Sequence, residues 1–179
     1  MGQPLLPDIP NWSWHEYGMR AGFWRQFKTL TDRNMPVTLA INANVCNTYP
    51  RVASAALEAG FEFMGHGFVQ KPMHRVDDQR AAFADTIEAI KDFTGKPPRG
   101  YVAPWWELGP NTAELLLRKG LKYDHSMMNN DFHPFYVRVG DSWTKIDYSK
   151  HPSTWMKPLV RGKETDLIDI PASWYLDDL

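Results

Sequence analysis

The tightest constraint on the fold comes from residues 61–68, Phe-Glu-Phe-Met-Gly-His-Gly-Phe. This is a short apolar run with strand character that stops on a histidine between two glycines. A strand of this kind, following a helix, delivers one imidazole to the end of a sheet edge or to a barrel mouth. Gly65 and Gly67 let the backbone bend there and let a ligand or another chain come close. Ligands in α/β folds sit at the carboxyl ends of the strands, so His66 is the first candidate for chemistry. A hydrogen-bonded interior histidine fits the same pattern, and position alone leaves both readings open.

Around this run, helical and strand patterns alternate with short connections. Residues 1–18 are rich in Pro, Trp and polar groups and read as an arm or loop, with 19–179 as the folded domain. Phe23, Trp24, Phe27 and Leu30 mark a helix over 20–33 that Asn34 stops. Residues 37–41 read as a buried strand with a polar exit at Asn42 and Asn44. A helix over 50–59 opens on Pro50 and closes at Gly60. Asp77 or Asp78 caps a helix running to Phe93, with Phe83, Ile87 and Ile90 on its buried face. A brief strand over 100–103 leads into Pro104-Trp105-Trp106-Glu107. A helix over 111–119 ends at Gly120, and a strand follows over 122–126. Two more strands, 136–139 and 166–170, flank a long loop that holds Trp143, Tyr148 and Trp155. This order predicts parallel strands with crossover helices, as an open sheet or a barrel.

Composition narrows the function. A net charge of −1 with no basic block argues against a nucleic-acid surface. No apolar run approaches the roughly 20 residues of a membrane span. The single cysteine, Cys46, supports neither a disulfide framework nor a Cys-rich zinc site. The start lacks a charged segment followed by an apolar one, so a soluble cytoplasmic protein is expected. The 8 tryptophans and 13% aromatic content are high; aromatic side chains supply core, but they also line sugar- and ring-binding clefts.

Three strand exits are expected to converge: at His66, at residues 104–107 and at residues 124–131. Together they would hold an imidazole, the carboxylates of Glu107 and Asp131, and a wall of Pro104, Trp105 and Trp106. Asn44 and Gln70 complete the candidate substrate contacts. Such a set suits a hydrolase, with a base for water, an acid for the leaving group and a stacking surface. Each member has an ordinary alternative: packing for the tryptophans, turn formation for Asn44, Asp124 and Asp131, and dipole complementation for Glu107. A zinc site commonly takes three protein ligands. His66 offers one, His74 is too loosely spaced beyond Pro72 to join it, and His125 and His133 are candidates by type only.

The chain resembles the polysaccharide deacetylase (NodB-homology) superfamily, hydrolases of non-peptide carbon–nitrogen bonds on a distorted (β/α) barrel. Residues 17–25, 42–46, Tyr49-Pro50 and 63–67 resemble the allantoinase-related branch. Residues 100–107, 122–126, 139–143 and 170–179 resemble the intracellular peptidoglycan-deacetylase-like branch. The resemblance implies an incomplete (β/α) barrel, because two of the family's metal-site elements have no counterpart here. Its aspartate-bearing first strand is not matched in residues 1–18, and its late histidine would lie beyond Leu179. Its second metal-site histidine falls on Gln70, so only His66 carries over as a metal ligand. Zinc or another divalent ion therefore stays open, and none is expected for an allantoinase-like site. The expected activity is N-deacetylation of a glycan or small-molecule substrate. The alternatives are cyclic-amide hydrolysis and an inactive, ligand-binding fragment. Uncovered barrel edges would favour a homo-oligomer.

Overall fold

Local sequence sets the helices. The computed structural model describes residues 7–173. The helices are α1 (Ile9–Tyr17), α2 (Phe23–Thr31), α3 (Val45–Thr48), α4 (Pro50–Glu58), α5 (Gln79–Thr94) and α6 (Thr112–Arg118). In α5 the Asp78 carboxylate accepts from the Ala81 amide at 3.0 Å, which satisfies one of the donors that a helix start leaves unpaired. Phe83, Thr86 and Ile90 then bury one face, and Gly95 closes the helix at φ 79°. Pro50 opens α4, where a missing N–H costs nothing.

The strands are β1 (Thr38–Ile41), β2 (Glu62–Gly65), β3 (Gly100–Tyr101), β4 (Tyr123–Asp124), β5 (Phe135–Val139) and β6 (Lys163–Asp169). Among the described residues they form one sheet in the order β1-β2-β3-β4-β6-β5. All neighbours are parallel except β5, which pairs antiparallel with β6 at the sheet edge. The parallel register aligns Ile41, Gly65, Tyr101, Asp124 and Asp169 in one row across the sheet. The residues that follow, Asn42, His66, Val102, His125 and Ile170, therefore leave the sheet along one rim. This is an open, incomplete (β/α) barrel, with β1 and β5 as its two edges.

Two apolar clusters hold the helices to the sheet, and α5 bridges them. Phe83 packs on Tyr101, 4.8 Å between ring centres, in a cluster with Leu116 and Leu167. Ile90 joins Ile41, Phe61 and Phe63 in the other.

Two expectations are corrected. The arm or loop over 1–18 is helical from Ile9 to Tyr17, capped by Asp8 on the Asn11 amide, although it buries no residue; residues 1–6 lie outside the described range. The strand read as buried, 37–41, is an edge strand of the described sheet, and Thr38 and Ala40 are exposed because β1 has no outer neighbour among the described residues. The long loop over 140–162 is as expected, pinned at its neck by a Ser142–Val160 bridge. The motif at 174–179 lies outside the described residues.

Candidate active site

The rim is stitched by hydrogen bonds between exits. The His66 amide donates to the Ile41 carbonyl, the Val102 amide to Gly65, and the His125 amide to Tyr101. The Ala43 and Asn44 amides donate to the Gly67 and Phe68 carbonyls, at 2.9 and 3.1 Å, and the Asn42 side chain donates to the His66 carbonyl. The loops after β1, β2, β3 and β4 are therefore one unit.

His66 is half-buried, and its Nδ1 lies 2.9 Å from the Val102 carbonyl oxygen. A carbonyl only accepts, so Nδ1 carries the proton and Nε2 keeps its lone pair. Burial lowers the pKa of the ring below the ordinary 6.5; the Val102 carbonyl and the Gln70 side chain, both hydrogen-bonded to it, oppose that shift. The ring is neutral at pH 7, with Nδ1 held by the Val102 carbonyl and the Gln70 side chain against the same ring.

The side chains proposed from sequence take different places. Pro104 is buried, and Trp105 is 62% exposed. Trp105 and Trp106 both sit at positive φ, 61° and 53°. Consecutive non-glycine residues in that region cost energy and are held by their surroundings. Gln70 contacts the His66 ring. Asn44 begins α3 and accepts from the Thr48 hydroxyl through its carbonyl. The Glu107 carboxylate lies 3.0 Å from His74 Nδ1, which ties the loop after β3 to the loop after β2. Asp131 is exposed between β4 and β5 and makes no hydrogen bond or ion pair among the described residues.

Gly67 needs its missing side chain. It sits at φ 71°, and a Cβ there would lie 3.0 Å from Pro104 Cγ and 3.1 Å from the Val69 carbonyl. Gly67→Ala is expected to lose about 2–4 kcal/mol, from backbone strain plus overpacking, read as a lower urea midpoint at unchanged slope.

Sequence reasoning missed a buried carboxylate pair on the other face. Asp124 and Asp169, 1% and 0% exposed, are paired across β4 and β6. Asp124 accepts from the Ser126 hydroxyl at 2.7 Å, and Asp169 Oδ2 from the Met127 amide at 3.2 Å. The Ser126 hydroxyl accepts in turn from the Ala103 amide. Asp169 Oδ1 takes no hydrogen bond from a donor group among the described residues and turns to Asp124. Desolvation and the Asp124 charge push the Asp169 pKa up to about 8, so the pair shares one proton. An acid inside the apolar run Leu167-Ile168-Asp169-Ile170 was the available signal.

The family implies a divalent metal, and the described donors do not suit one. No group of three His, Cys, Asp or Glu side chains gathers among the described residues. His66 has a neutral amide, Gln70, beside it, and the buried carboxylates share the helix-covered face with Tyr101. The groove between α2 and α4 is lined by Arg20, Trp24, Tyr49 and Arg51, and the Tyr49 hydroxyl there donates to Glu16 Oε1 at 2.6 Å.

Comparison with known proteins gives the wider setting. The polysaccharide deacetylase family model matches residues 13–123. A peptidoglycan deacetylase of Helicobacter pylori is 49% identical over 160 residues, covering 88% of this chain and 55% of that protein. A peptidoglycan deacetylase-like protein of Gibberella zeae is 33% identical over 182 residues, 99% of this chain and 54% of its own length. The chain spans about half the length of these curated relatives. Among solved structures, a Mycobacterium smegmatis protein assigned as a polysaccharide deacetylase superposes with a TM-score of 0.75 at 27% identity, covering 97% of this chain and 53% of that one. The Puue allantoinase superposes with a TM-score of 0.69 at 26% identity, covering 92% and 47%. No helix among the described residues is long and apolar enough to cross a membrane. With the family model spanning more than half of its length, on a mostly parallel sheet whose exits share one rim, this chain belongs to the polysaccharide deacetylase family.

Proposed function

We propose that this chain carries the rim of an N-deacetylase that hydrolyses the acetamide of an amino sugar of the peptidoglycan type. The observation that carries this reading is the neutral, tautomer-locked His66 on the same rim as the loop that exposes Trp105. A pyranose ring stacked on the Trp105 indole would present its acetamide toward the loop after β2. His66 Nε2 takes a proton from water as the water adds to the amide carbonyl. The Gln70 amide, which can present either its N–H or its carbonyl, follows the change of proton on that ring. The C–N bond then breaks, giving acetate and a free amine.

A cyclic-amide substrate is the second reading. It is favoured by the likeness to the Puue allantoinase and by a donor set built on one imidazole. The deciding experiment measures acetate release from N-acetylglucosamine oligomers against ring opening of allantoin. Acetate release alone is expected. Ring opening without acetate would replace the first reading with the second, and activity in neither assay would leave a binding fragment. Association with a second copy is part of the proposal, supported by exposed Trp143, Tyr148 and Met156 on the 140–162 loop. So is a cytoplasmic location, supported by the lone buried thiol of Cys46.

A further inference from the structure

We infer that Glu107 and His74 are positioning residues: their contact holds the turn that presents the Trp105 indole as a platform for the sugar ring. The inference rests on the deacetylase reading above and names what fixes its stacking surface. It also takes Glu107 out of the acid–base work that its place in the sequence suggested.

Three observations carry it. The first is strain in the turn. Trp105 and Trp106 follow one another in the left-handed region, at φ 61° and 53°, and no glycine lies between Gly100 and Gly109 to relieve them. The turn's own hydrogen bonds run from the Trp106 amide to the Ala103 carbonyl at 2.8 Å and from the Glu107 amide to the Pro104 carbonyl at 3.2 Å. An ordinary right-handed turn closes the same bonds, so they do not select this hand. The second is that the loop after β2 grips the turn at both ends. At the entry, buried Pro104 comes so close to Gly67 that a Cβ there would lie 3.0 Å from its Cγ. At the exit, the Glu107 carbonyl accepts from the Met73 amide at 3.1 Å, and the Glu107 carboxylate lies 3.0 Å from His74 Nδ1. Met73 is buried in the cluster with Phe83, Tyr101 and Leu116, so this grip is anchored in the core. The third is the direction of the His74 ring. Arg75 Nε donates to His74 Nε2 at 3.2 Å. That guanidinium nitrogen can only donate, so Nε2 accepts and Nδ1 carries the proton that goes to Glu107. Both ring nitrogens are used, and the imidazole is committed to the carboxylate.

Between the two grips the Trp105 side chain is 62% exposed. A strained turn that leaves its indole in water gains nothing for the fold, and strain of this kind gathers at ligand clamps. An indole already held in place loses little further freedom when a ring stacks on it, so the clamp lowers the cost of binding and leaves the bond-breaking step alone. Its loss is therefore expected in KM and not in kcat. The His74–Glu107 contact is half exposed, and contacts of that kind add little to overall stability. Removing it should register in the turn rather than in the melting temperature.

The test compares Glu107→Ala with Glu107→Gln. Both keep the backbone bond to Met73, but only glutamine retains an oxygen that accepts from His74 Nδ1. With N-acetylglucosamine oligomers, Glu107→Ala is expected to raise KM about 3- to 10-fold with kcat within about twofold, and Glu107→Gln to return KM to within about twofold of wild type. His74→Ala should reproduce the Glu107→Ala effect, and the double variant should add nothing further. The Trp105 indole N–H signal, assigned through Trp105→Phe, is followed in parallel by NMR. It is expected to lose order in Glu107→Ala and to regain it in Glu107→Gln. A kcat lowered about 100-fold or more in both Glu107 variants would make that carboxylate an acid or base and overturn the assignment. So would a KM and a Trp105 signal that Glu107→Ala leaves unchanged. Either result leaves the deacetylase reading standing. A wild-type chain that neither binds nor cleaves the oligomers removes that reading and the platform with it.

Discussion

His66→Asn is expected to lower kcat for acetate release by about 10²- to 10⁴-fold, with the fold intact. Asparagine can keep a donor at the place of Nδ1, so the hydrogen bond to the Val102 carbonyl survives and the rim stays stitched. What disappears is Nε2, the basic atom that no backbone carbonyl holds. The pH dependence follows from the sign of the shift. Burial holds the ring pKa below 6.5, so the wild-type ring stays neutral through neutral pH, and kcat/KM falls only as the pH drops through that depressed value. The same group bears on stability. Below about 6.5 the unfolded ring takes up a proton that the folded ring resists, so its contribution to stability is lost as the pH falls. The asparagine variant should lack both the acid limb of activity and this acid loss of stability. A kcat within tenfold of wild type, with an unchanged melting temperature, would mean that the ring only holds the rim together.

Asp169→Asn is expected to flatten the alkaline side of the stability curve and to match or exceed wild type at pH 8, by about 1–4 kcal/mol, the range seen when buried charges are replaced. The folded carboxyl titrates at about 8 against 3.8 in the unfolded chain. Between these values the folded state keeps a proton that the unfolded state has released. Stability from this group is therefore highest below about pH 4 and declines with rising pH until about 8, at about 1.4 kcal/mol per unit at most. An asparagine carbonyl would still accept from the Ser126 and Met127 amides. Its nitrogen would donate to Asp124 in place of the shared proton. Asp169→Ala is the contrasting variant. It leaves two buried amides without an acceptor and should cost about 2–6 kcal/mol at every pH. Urea unfolding from pH 5 to 9 measures both. A wild-type curve that rises toward pH 8 would show that the pair does not share a proton.

The helices and strands were legible because their signals are local. Pro50 and Gly60 around α4, Asp78 before α5 and Gly95 after it act through their own turns of chain. The edge position of β1 was not legible, since nothing within residues 37–41 records which strand lies outside them. The helical state of residues 9–17 was hidden for another reason. Asp8 and Pro10 are start signals, but no apolar face follows them to announce the periodicity. Among the site residues, His66 stood out because two glycines frame it. Asp169 did not, because an acid in a strand reads as solvent-facing until its neighbour is known.

The sequence alone determined the order of the strands and of the helices α2, α4, α5 and α6, the loop on which each reactive side chain sits, and the family resemblance that the residues carry. Only the tertiary structure decided which of those side chains meet. His66 is locked by a carbonyl 36 residues away and His125 by one 45 residues away. The carboxylates of Asp124 and Asp169 are brought together by the β4–β6 register. Caps and periodicities are properties of a few neighbouring residues and can be read along the chain. Register between distant strands is fixed by packing of the whole sheet against its helices, and no single segment contains it.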